Sequence, residues 1–139
     1  MAGELTPITT YDMPIIDPEL CLIISVITSE AVTIGEAGYQ TSSGTFGVAD
    51  ANAAGKQQFR GIYLRAAAAG DVVPLLIRGP VSCYDVSAAT PEVPLYLSDT
   101  AGDIATSTGT LTVVCGRVYT LSDGTNAVWI EAQWTTIWA

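Results

Sequence analysis

The chain has 139 residues, of which 49% are hydrophobic and 14% charged; five Lys and Arg face fourteen Asp and Glu, histidine is absent, and the formal net charge is −9. This composition excludes disorder along most of the chain and allows one well-filled core. It also argues against nucleic-acid binding, which needs clustered cations to neutralise phosphates, and against docking on an anionic membrane.

Residues 1–19 carry Pro7, Pro14 and Pro18 among Thr, Asp and Ile. Proline disfavours both helix and central strand, so this segment is expected to be an extended N-terminal arm. Its apolar Ile8, Met13, Ile15 and Ile16 suggest that the arm lies along a neighbour. The opening MAGELTPITTYDMP lacks the basic stretch that export needs, and LCLIISVI at 20–27 is too short to cross a bilayer, so synthesis in a cytoplasm is expected.

From Leu20 onward, residues 20–139 are expected to form a single β-rich domain. LCLIISVIT is short and rich in β-branched residues. In EAVTIGEAGYQ, Val32 and Ile34 alternate with Thr33 before Gly35 breaks the run. Ser42 to Gly44 supply turn chemistry. QFRGIYLR is expected to be a strand from about Gln58 to Leu64, because Gly61 weakens a helix and Tyr, Ile and Phe favour a strand. Ala66 to Ala69 would then make a single helical turn, ended by a left-handed Gly70. VVPLLIRGPV is too apolar to be exposed on both faces, yet Pro74 lacks a backbone donor, so an edge strand needing cover is expected.

Two hairpins follow. VPLYLS turns at DTAGD and returns as IATS. TLTVVCGRVYTL, with a bulge expected near Val113, Val114 and Gly116, turns at Asp123-Gly124 into AVWIEAQW. In that last segment Val128, Ile130, Ala132 and Trp134 fall on the core face and Trp129 on the other. For Trp129 and Trp138, interface and loose packing both stay open.

The absence of histidine removes the usual general base, the Ser–His and Cys–His pairs and the commonest zinc ligand. Asp99 with Asp103, and Asp85 with Glu92, are carboxylate pairs in principle, but beside glycine and in turns they read as caps. Cys21, Cys83 and Cys115 are isolated, without CxxC spacing, and read as buried thiols. No catalytic, cofactor or metal residue is assigned, and the chain is not read as an enzyme.

GIYLRAAAAGDVVPLLIRGPV, VPLYLSDTAGDIATS, VVCGRVYTLSDG and VWIEAQW, taken in that succession, resemble the small decoration, or cement, proteins of tailed-phage capsids, over roughly Glu30 to Gln133. The resemblance implies an all-β fold, a small β-barrel or β-tulip-like domain with at most short helical turns. It also implies binding to the outer surface of the virion capsid, bridging of neighbouring major capsid proteins, and a homotrimer that exists in solution or forms only on the shell. On that reading Ile8, Met13, Ile15 and Ile16 are the expected capsid contacts, and Val73, Pro74, Leu76 and Trp129 the expected subunit contacts. No cofactor is implied. The alternatives are a β-rich phage tail or fibre component, and a carbohydrate-binding β module in which Trp129, Trp138 or Tyr119 stacks on a sugar.

Overall fold

The computed structural model describes residues 4–8 and 15–138. Within them nine strands form one antiparallel sheet: β1 (Leu22–Ile27), β2 (Ala37–Gln40), β3 (Phe46–Val48), β4 (Gly61–Tyr63), β5 (Val72–Val81), β6 (Pro94–Leu97), β7 (Ile104–Ala105), β8 (Val114–Thr120) and β9 (Asn126–Glu131). The strand order is β3-β2-β4-β5-β9-β8-β6-β7, and β1 lies against β5. The sheet curls into a small barrel-like domain. The β6–β7 turn reaches back to the first strands, where the Gly102 N–H donates to the Ala49 carbonyl at 2.7 Å and the Ala37 N–H to the Gly102 carbonyl at 2.9 Å. The described residues contain no α-helix, only a 3-10 turn at Pro18–Leu20 capped by the Asp17 side chain.

β5 is the hub of the sheet. One flank pairs with β1, from Val72 opposite Ile27 to Arg78 opposite Leu22, and continues with Ile15 opposite Val81. The other flank pairs with β4 at Leu75 and Leu76 and with β9 from Arg78 to Val81. The expected edge position is therefore corrected: β5 is a central strand. Its prolines are accommodated because each antiparallel flank uses only alternate residues. The Pro74 carbonyl accepts from Leu64 at 3.1 Å, just past the end of β4, and the Pro80 carbonyl accepts from Ile16 at 3.2 Å, beyond the start of β1. Both missing donors face the end of a neighbour and interrupt no ladder. Gly79 (φ +134°) supplies a further allowance: a Cβ there would lie 2.7 Å from Cys21 Sγ, so only glycine lets the chain at Leu20 and Cys21 cross this closely.

Two other expectations shift in detail. The strand expected at Val32–Ile34 is a single bridge from Val32 to Ala67. The Glu36 carboxylate accepts the Thr33 N–H at 2.8 Å and ties a turn there, which delays strand pairing until Ala37. The alanine run makes no helical turn, because Val32 and Ala67 exchange both backbone hydrogen bonds, at 2.9 and 3.0 Å; Gly70 is left-handed as expected, with φ +90°. Both C-terminal hairpins form. The bulge falls at Cys115, where the β6 partners step from Gly116 to Val114.

Two hydrophobic clusters lie on opposite faces of the central strands. The larger holds Ile62, Leu76, Val81, Leu95, Leu97 and Ile130; the smaller holds Val26, Phe46, Tyr63, Val73 and Leu75. Adjacent residues of β4 and β5 thus serve different cores, which is why GIY and VVPLLI lack a clean alternation. The β1–β5 register slips past Ile77 between Leu22 and Ile23, so Leu76 and Ile77 both enter the larger core. Each such side chain contributes about 1.5–3 kcal/mol by leaving water.

Candidate interaction surface

The large hydrophobic side chains exposed among the described residues are Leu20, Leu22, Ile27, Val72, Trp134 and Ile137, at 38 to 75% exposure. Leu22 and Ile27 begin and end β1, Leu20 precedes it, and Val72 pairs with Ile27. They are exposed because β1 has a strand on one flank only. Its far end makes a single parallel bridge, Thr28 to Phe46, toward β3. Between β1 and the β2–β3 turn lies an open cleft of about 520 Å³, floored by Ile24, Val26, Phe46 and Trp134. A second cleft of about 530 Å³ runs from Leu22 and Arg78 past Glu131 to the other side of Trp134.

Trp134 stands between the two clefts, where sequence alternation places it in the core. β9 ends at Glu131 and the chain turns at 134–135, so the alternation that buries Val128, Ile130 and Ala132 stops one step short. The indole is nevertheless fixed: its Nε1 donates to the Arg60 carbonyl at 2.8 Å, and its ring lies 6.3 Å from that of Phe46. Arg60 holds the same segment by donating to the Gln133 carbonyl at 3.1 Å and to the Thr136 carbonyl at 3.3 Å. Gln58 exchanges two hydrogen bonds with the Trp138 backbone, at 2.7 and 2.8 Å. Sequence reasoning misses this clamp, since Arg60 and Gln58 sit more than seventy residues before their partners.

The residues expected to contact partners stand in different environments. Ile8, Ile15 and Ile16 are half-buried against their own barrel. The Ile8 N–H donates to the Cys83 carbonyl at 2.6 Å, Ile15 bridges to Val81 and Ile16 bonds Pro80. Met13 lies outside the described residues. Val73 and Leu76 are fully buried inside the chain, so neither can present its side chain to another subunit, and that assignment is corrected; Pro74 is half-buried opposite Ser25. Trp129 is half-buried, edge-on to Tyr119 with ring centroids 6.1 Å apart, and donates from Nε1 to Glu131 at 3.2 Å.

The titratable groups act mainly in the architecture. Asp99 accepts the Thr110 N–H at 2.7 Å, and Asp85 accepts the Ser87 hydroxyl at 2.9 Å, so both cap loops. Burial raises the Glu36 and Asp103 carboxyls above their ordinary range, with Asp103 also facing Glu4. Hydrogen bonding from Ser98 holds Glu4 low. Burial pushes the Cys83 thiol up to about 12 and drives Cys115 and Tyr84 well above their ordinary values. The three cysteines are unpaired. Among the described residues no group of three His, Cys, Asp or Glu side chains is placed to hold a metal ion, and no helix is long and apolar enough to cross a membrane.

No protein-family model, curated protein or solved structure matches this chain.

Proposed function

We propose that the protein is a capsid decoration protein, which binds the outer surface of a phage head as a trimer and bridges neighbouring major capsid proteins after synthesis in the host cytoplasm. The observation that carries this reading is the exposed apolar rim along β1, set on a barrel whose interior is filled with side chains. Bridging a shell against internal pressure needs contact area, on the order of 1,000 Å² or more for a stable interface, and no bond-making chemistry. The resemblance of the β4–β5 and hairpin phrases to cement proteins supports the same conclusion. An acidic chain is also kept off the packaged genome and free in solution until it meets its shell.

The position of the arm changes how this is tested. Leu5 and Ile15 pack against the larger core, so removing residues 1–19 would damage the barrel as well as any capsid contact. The direct experiment mixes the intact protein with expanded, undecorated phage capsids, followed by sedimentation and imaging. Saturable density on the outer surface, with threefold symmetry, is the expected result. Absence of bound density at saturating protein would overturn the proposal in favour of a fibre component or a glycan-binding module.

A further inference from the structure

We propose that the outer edge of β1 accepts an added β-strand, and that its occupant is an extended apolar segment with basic flanks belonging to a different protein. This deepens the capsid reading and rests on it only for who that protein is: the major capsid protein.

The backbone supplies the first argument. Ser25 faces Pro74 across the β1–β5 ladder, and Pro74 has no N–H while its carbonyl is turned to Leu64. Ser25 and Pro74 are therefore a non-hydrogen-bonded pair, and the Ser25 N–H and carbonyl point away from β5. The register from Ile23 to Ile27 is regular, so the same groups of Ile23 and Ile27 point outward too. Among the described residues β1 pairs with no strand but β5; the parallel Thr28–Phe46 bridge engages the Ile27 carbonyl at the far end, which leaves the outward groups of Ile23 and Ser25 and the Ile27 N–H for a partner. The strand LIISVI also lacks the devices that blunt an edge: it holds no lysine, proline or other charge. A run of five residues extends about 17 Å, enough for a strand of ordinary length.

Side chains and charge say what would bind. Inward residues of an added strand would meet Ile24, Phe46 and Trp134 in the adjoining cleft. Leu22, Ile27 and Trp134, which line the clefts beside β1, show on the order of 300 Å² of apolar surface, an ordinary patch for a monomer and part of one side of a stable interface. The ends of β1 are acidic. Asp17 and Glu19 precede it, while Asp71, whose carbonyl accepts the Thr28 N–H, and Glu30, which accepts the Val48 N–H, flank its far end. Arg78, opposite Leu22, already stands 4.0 Å from Glu131. Lysine or arginine at both ends of the incoming strand complements this pattern, whereas the same edge of a second copy would set its acidic ends against these.

The test titrates the full chain with a synthetic peptide of alternating valine and threonine flanked by paired lysines, and separately with the same core flanked by glutamates. Amide exchange is followed residue by residue. Exchange at Ile23, Ser25 and Ile27 should slow with the lysine peptide, and the glutamate peptide should bind about tenfold more weakly at low ionic strength. Ser25→Pro, which removes an outward donor and no ladder bond, should abolish the effect. Ile27→Lys, which puts a like charge at the site, should weaken the lysine peptide about tenfold and serves if the proline variant misfolds. Unprotected amides at about millimolar peptide, or equal affinity for both flanks, would overturn the proposal. So would protection of the same amides by self-association without peptide, which would assign the edge to a second copy. Capsid binding that leaves these amides unprotected would defeat this inference and spare the decoration reading; peptide binding without capsid binding would do the reverse.

Discussion

Tyr84 follows β5 and joins three parts of the molecule, and replacing it with phenylalanine isolates one atom of that junction. Its hydroxyl donates to the Gly35 carbonyl at 2.5 Å; its ring lies against Gly35, where an added Cβ would sit 3.2 Å away, and its backbone bridges to Pro7. Tyr84 is 4% exposed and Gly35 is buried. The Gly35 carbonyl lies in a turn, with no second donor among the described residues. Tyr84→Phe thus leaves a buried acceptor unpaired, which costs about 1–3 kcal/mol. Against a total stability of about 5–15 kcal/mol this is a large fraction, and it should lower Tm by roughly 4–12 °C. Urea and thermal unfolding followed by tryptophan fluorescence give the value, with an unchanged m-value showing that the denatured state is unaltered. Tyr63→Phe is the internal control. Its hydroxyl donates to Gly47 at 2.6 Å, but Gly47 pairs with Tyr39 in the β2–β3 ladder, so that carbonyl keeps a partner and the loss should be smaller. A Tyr84→Phe loss below about 0.5 kcal/mol, or one no greater than that of Tyr63→Phe, would refute the reasoning.

The remaining predictions concern pH and the C-terminal segment. Folding holds the Cys83 and Cys115 thiols protonated, with Cys83 raised to about 12, so the stability they contribute is complete below the ordinary thiol range and is lost as pH rises through it. The slope should reach about 1.4 kcal/mol per pH unit for each thiol; urea midpoints measured from about pH 7.5 to 10 should fall, less steeply in Cys83→Ala, and a flat profile would contradict this. On the acid side, the raised Glu36 and Asp103 carboxyls favour the protonated folded state, so stability should rise as pH falls from neutrality toward the carboxylate range. The gain should reverse at lower pH, where Glu4 and Asp123, held low by hydrogen bonds from Ser98 and Thr125, take up protons. Glu36→Gln, which keeps an acceptor for the Thr33 N–H, should flatten the upper part of that curve in denaturant titrations. Arg60→Lys loses the fork that spans the Gln133 and Thr136 carbonyls; it should cost about 1 kcal/mol and speed amide exchange over 134–138, and unchanged exchange would show that the clamp is idle.

What could be read ahead of the structure was whatever depends on neighbours in sequence. Asp123-Gly124 specifies its turn through local hydrogen bonds, with the Asp123 carboxylate accepting the Thr125 N–H at 3.0 Å, and alternation in 126–131 decides which side chains enter the core. β5 could not be placed this way. A proline counts against a central strand only when its missing donor faces a paired residue, and whether it does depends on where β4 and β1 end, both distant in sequence. The same limit misplaced the surface. The local pattern points to the broken strand, Val72–Val81, as the exposed edge, whereas that edge belongs to the unbroken LIISVI beside it. Trp134 departs from the alternation because alternation says nothing about where a strand stops, and β9 stops at Glu131. The inward seating of Ile8, Ile15 and Ile16 rests on backbone bonds to residues 80–83, which no local pattern records.

The hub position of β5 also governs the order in which this molecule can be made. β5 lies midway along the chain, yet one of its flanks is completed by Arg78 to Val81 pairing with residues 128–131, and the Arg60 and Gln58 contacts close on residues 133–138. A ribosome shields the stretch it has just synthesised, so half of the central strand has no partner until residues 128–131 have emerged. Residues 15–81 can assemble their own hairpins early, but the larger core cannot close around them before Val128, Ile130 and Ala132 are made. The apolar flank of β5 is therefore uncovered while residues 82–127 are being made, and an acidic chain that repels its copies on neighbouring ribosomes is well suited to survive that interval.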